Sequence, residues 1–138
     1  MRLARLAFAA LAWLYLALIA LQVFLAGVGV FGADSFELHI GVGYLAAFLW
    51  PLILLAVAVV ARAGRLIGLS ALVLLLGVVQ SILPWLRTDS PYLAALHPVN
   101  ALLMAWLALV IARGANVLAR IRAPDASDSS ATLEVRRA

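Results

Sequence analysis

Hydrophobic positions run along this chain in four long blocks, Leu3 to Phe31, Phe36 to Ala61, Leu66 to Trp85 and Tyr92 to Ala112, separated only by the short links GADS, RAGR and RTDSP. A helix crossing a bilayer core needs about 20 apolar residues, and each block supplies them. The pattern predicts four transmembrane helices, at about 3–31, 36–61, 66–86 and 91–113. Links this short make sequential helices antiparallel neighbours, so the expected fold is all-α, an up-down-up-down four-helix transmembrane bundle occupying residues 1–122. Beyond Arg122 the sequence turns to APDASDSSATLEVRRA, too poor in apolar surface to build a core. Residues 123–138 are therefore expected to form a disordered cytoplasmic tail, either a spacer or a docking segment.

Composition agrees with the pattern. The chain is 67% hydrophobic and only 12% charged, far from the balance of a soluble domain. Its basic residues are ten arginines without a lysine, a bias that fits a GC-rich bacterial genome. Their placement matters more than their sum. Arg2 and Arg5 precede the first block, Arg62 and Arg65 lie between the second and third, and Arg113, Arg120 and Arg122 follow the fourth; the other two links carry Asp34, Glu37, Asp89 and only Arg87. The positive-inside rule then puts both termini in the cytoplasm, with a bacterial inner membrane as the expected location. The arginines read as topology signals, not as a nucleic-acid surface. The apolar core of the first block is far longer than the roughly 7 to 15 residues of a secretory signal, so it is expected to remain as an anchor. With no cysteine, thiolate metal sites and disulfides are excluded. No phosphate loop, nucleophile constellation or metal-protease motif is present, so an enzyme is not indicated.

The chemistry that remains rests on very few polar residues inside the apolar blocks. The two histidines, His39 and His97, are 58 residues apart, as are the two glutamines, Gln22 and Gln80. Each glutamine precedes its histidine by 17 residues, which suggests two copies of one helical hairpin. Such a repeat puts both histidines at one depth, about one turn inside the ends of the second and fourth helices, diagonal partners in a simple bundle. Two imidazoles facing each other from diagonal helices can ligate a haem from both sides. Gly43 with Ala46 and Ala47 follows His39 on one face, Ala101 and Ala105 follow His97, and Gln22, Ala26 and Gly29 share a face of the first helix. Small residues at this spacing are the usual means of close helix packing, and they would also make room for a macrocycle. The histidines keep other readings as well: a hydrogen-bonded structural role, pH sensing, or another metal. Gln22 and Gln80 are expected one to two turns deeper, bonding each other, the backbone or a cofactor. Asn100 is an expected interhelical tie, and Asp89-Ser90-Pro91 an expected helix start.

The stretches QVFLAGVGVFG, FELHIGVGY and ALHPVNALLMAWLAL resemble those of an uncharacterised family of small four-span bacterial membrane proteins. More distantly, the arrangement is similar to one four-helix half of haem A synthase. That resemblance implies a b-type haem with His39 and His97 as axial ligands, and it relates Glu37 loosely to an acid before the first histidine. The chain departs from the synthase pattern in having Ile40 and Pro98 where arginine follows the histidine, and in lacking the cysteine pair. The leading expectation is a small membrane b-type cytochrome holding one haem b near the outer face. His39, His97, Gly43, Ala101, Gln22 and Gln80 would form its site, and a quinone or membrane redox partner would exchange its electrons. The alternative is a cofactor-free interaction or scaffold subunit.

Overall fold

The computed structural model describes residues 1–120, so the tail expected at 123–138 lies outside the described residues. The described chain is all-helical: α1 (Arg2–Val30), α2 (Glu37–Tyr44), a π-helical turn (Leu45–Leu49), α3 (Trp50–Val60), α4 (Arg65–Ile82), a 3-10 segment (Leu83–Arg87), α5 (Pro91–Ala94) and α6 (Leu96–Arg120). These elements join into four spans long and apolar enough to cross a membrane, Arg2–Val30, Glu37–Val60, Arg65–Arg87 and Pro91–Arg120. This is the architecture of a multi-pass membrane protein. The fourth span runs seven residues past its expected end at 113, because Ala115 and Leu118 still pack on the core and keep the helix going.

Span 1 packs most extensively on span 4, and also on span 2; span 3 packs on spans 2 and 4. Spans 2 and 4 are thus diagonal. One half of the bundle is a dry core in which Phe8, Tyr15, Leu54 and Ile111 interlock with Ala12, Ala58, Ala108 and Ala112. Lipid tails are as apolar as leucine, so this fitting of large into small side chains, not hydrophobic exclusion, joins the helices. Trp50 Nε1 donates to Leu11 O at 3.1 Å and pins α3 to α1. Large apolar side chains such as Phe24, Leu75, Leu102 and Trp106 face outward, where lipid receives them.

Prolines set the irregular segments. Pro51 has no N–H for the carbonyl of residue 47, and the ladder widens so that Trp50 N–H bonds Leu45 O, five residues back. Gly77 of α4 is backed directly onto Ala47 O at this turn, so close that no Cβ fits between them. Pro84 opens the 3-10 segment, and Pro91 sits at the first position of α5, as the sequence predicts. Pro98 lacks an N–H for the carbonyl of Ala94, four residues upstream, where α5 ends.

Candidate functional site

The half of the bundle away from the dry core holds the polar side chains. His39 stands on the first turn of α2 and His97 on the first turn of α6. Their rings meet across the diagonal with centroids 6.2 Å apart and planes at 72°. Both are half-buried.

Each ring is anchored in the same way. His39 Nδ1 is 3.1 Å from Gln22 O, and His97 Nδ1 is 3.0 Å from Gln80 O. With Nδ1 protonated, each histidine donates to the backbone of the residue 17 positions before it. For Gln80 the acceptor has a visible origin: Pro84, four residues on, lacks the N–H that would otherwise use that carbonyl. Gln22 O has no such proline and offers its second lone pair.

The side-chain amides of the two glutamines diverge. Oriented to satisfy its neighbours, the Gln22 amide donates through its nitrogen to His39 O (3.0 Å), with that nitrogen also 3.1 Å from His39 Nδ1, and its oxygen accepts from Gly43 N–H (3.1 Å), bridging the two ends of one helical turn of α2. Gln80 Nε2 instead lies 3.2 Å from His97 Nε2, and Gln80 Oε1 accepts from Asn100 Nδ2 at 2.7 Å. Asn100 also donates to Leu76 O at 3.0 Å, tying α6 to α4 as expected. His39 Nε2 makes no hydrogen bond among the described residues.

The structure sharpens the expectations about this site. Each glutamine meets its histidine directly, because the two helices of each pair bring the glutamine carbonyl to the histidine ring. The glutamines do not bond one another; each bonds a histidine-bearing helix. The face of α1 at Gly29 is not part of an open slot, since the Phe36 ring lies on it, and a Cβ at Gly29 would come within 2.7 Å of Phe36 Cε1. Phe36 in turn meets the His39 ring edge-on at 6.2 Å, a contact the sequence reading missed although Phe36 sits one turn before the histidine. Glu37 is exposed, as its position two residues before His39 on a helix implies, and its N–H bonds Ser35 Oγ at 3.3 Å. Gly43 does adjoin the site, with the Gln22 side-chain amide 3.4 Å from where a Cβ would stand. Ala101 is half-buried one turn after His97.

An imidazole centroid lies about 1 Å from Nε2 and a metal–nitrogen bond is about 2 Å, so two rings bound to one metal from opposite sides have centroids about 6 Å apart. The observed separation matches. Nδ1 atoms tied to carbonyls leave Nε2 as the ligating nitrogen, the usual arrangement for a metal-bound histidine. In donor type and centroid separation the pair therefore suits two axial imidazoles. A porphyrin disc also requires Gln80 to withdraw its amide from His97 Nε2, for which Asn100 offers a remaining partner at Oε1. Among the described residues no group of three or more His, Cys, Asp or Glu is placed to hold a bare metal ion.

A family of unknown function, DUF6220, matches residues 22–86, a stretch that includes Gln22, His39 and Gln80 but stops before His97. No curated protein matches the chain, and no solved structure does.

Proposed function

We propose that this chain is a small membrane b-type cytochrome that binds one haem b between His39 and His97. The observation that carries the reading is the pair of diagonal imidazoles at 6.2 Å, each tied through Nδ1 to the backbone carbonyl 17 residues earlier. The matching bonds also support the reading of the chain as two hairpin repeats in an up-down-up-down bundle. The arginine distribution supports cytoplasmic termini in a bacterial inner membrane, with the haem near the outer face. Haem bound there supplies a one-electron carrier, alone or within a respiratory or haem-handling assembly. The residues hold it: Gln22 and Gln80 keep the ring protons on Nδ1, the Phe36 ring covers one edge of His39, and Gly43 and Ala101 keep the neighbouring helix faces slim. Two histidines allow only one such haem, so electrons reach it from a quinone or a membrane redox partner.

One observation favours a second reading. The bond from Gln80 to His97 Nε2, with Asn100 behind it, forms a satisfied polar network that joins spans 3 and 4 without any cofactor. The protein is then an interaction or scaffold subunit. The variant Gln80→Leu separates the two. A cytochrome retains its pigment in this variant, since the ligand is freed of its competitor; a polar latch loses stability and never shows pigment.

A further inference from the structure

About 25 Å along α6 from His97, the bundle carries a feature that the histidine site does not use. A hollow of about 300 Å³ lies between the link joining spans 2 and 3 and the last turns of α6, lined by Ala63, Arg65, Leu66, Gly114, Val117 and Leu118. Gly114 permits its shape, because a Cβ there would come within 2.9 Å of Leu66 Cδ2. One wall carries a guanidinium and the others are aliphatic. Exposed Arg62, Arg113 and Arg120 stand at the same end of the bundle, whereas Asp34, Glu37 and Asp89, the acids among the described residues, belong to the other two links.

The backbone at Arg62 is an independent sign. Arg62 has a positive φ of 53°, alone among the described non-glycine residues. It closes α3 with bonds from Arg62 N to Val59 O (3.0 Å) and from Ala63 N to Ala58 O (3.0 Å), the turn in which glycine usually takes the left-handed position. The same turn ends α1, with Gly32 N bonded to Gly29 O (3.2 Å) and Ala33 N to Val28 O (3.0 Å), and there the left-handed residue is Gly32, φ 69°. An arginine kept where glycine would relieve the steric strain points to a task for the side chain itself.

We propose that the hollow binds an anionic phospholipid, its phosphate held by Arg65 of the lining and by Arg62, the exposed neighbour in sequence of the lining residue Ala63, and its upper acyl chain lying against Leu66, Val117 and Leu118. A basic pocket between membrane helices, with an apolar floor, is the arrangement such headgroups select. The test uses the full chain purified with defined lipid, phosphatidylglycerol against phosphatidylcholine, reading retained lipid by native mass spectrometry and stability by thermal unfolding. Phosphatidylglycerol is expected to be retained in preference. Arg62→Gly and Arg65→Gln should each weaken retention about fivefold, while Arg87→Gln, at another link, leaves it unchanged. Arg62→Gly should also raise the unfolding temperature in phosphatidylcholine alone, which shows that weaker lipid binding is not loss of fold. Equal retention of the two lipids, or undiminished retention by both arginine variants, would overturn the proposal. So would inorganic phosphate reproducing the stabilisation that phosphatidylglycerol gives.

Discussion

Replacing Gly77 by alanine adds one methyl group at the closest approach between spans 2 and 3. The new Cβ would overlap Ala47 O and lie 2.8 Å from Ala47 C and 3.2 Å from its Cα. All three are backbone atoms of the π-helical turn, so no side chain can rotate away and the two spans must separate. Overpacking of a closely fitted interface costs about 1–3 kcal/mol, and a clash with backbone belongs at the upper end, about 3 kcal/mol. A radial gap of 0.5–1 Å forfeits roughly a quarter to a half of each contact's dispersion energy, which spreads the loss along the interface. Gln80 stands less than one turn from Gly77, so its bonds to His97 should loosen as well. The control is Gly68→Ala in the same helix, where nothing lies within 4 Å of a built Cβ; that change should be neutral or slightly stabilising. Equilibrium unfolding in mixed detergent micelles measures both. If Gly77→Ala proves as stable as Gly68→Ala, the reasoning about this contact is wrong.

Other consequences follow from single contacts. The buried hydroxyl of Tyr15 has no hydrogen-bond partner among the described residues, so Tyr15→Phe should raise stability by about 1 kcal/mol in the same unfolding assay. Asn100→Leu removes donors to Leu76 O and Gln80 Oε1 and should destabilise by about 1–2 kcal/mol, in line with interhelical hydrogen bonds in membranes. Trp50→Phe loses the bond to Leu11 O and should cost about 1 kcal/mol, with a tryptophan emission change showing that Trp50 was buried in the bundle.

The four spans were legible because their apolar blocks are long and their links short, and the bounds differ mainly at the last helix, where Gly114 and Ala115 read as an ending and fold as helix. The histidine pair was legible from its spacing to the glutamines. The route between them was not. Reading along a single helix does not register a contact that crosses from one helix to another. A proline four residues after Gln80 was the available sign that its carbonyl needs a donor. Gly29 looked like part of a slot because small residues in a sequence mark space without naming what fills it, and here Phe36 does. The π-helical turn at Leu45–Leu49 follows from Pro51 acting upstream, in the same manner as Pro98 acts on Ala94. Periodicity alone registers neither break.

The central claim is tested most directly by the reduced-minus-oxidised absorption spectrum of the full chain, expressed with ample haem and purified in mild detergent. The account predicts a red protein with the Soret and α bands of a low-spin, bis-imidazole haem at one per chain, both lost in His39→Ala and in His97→Ala. A colourless protein, or a pigment that survives removal of either histidine, would contradict it.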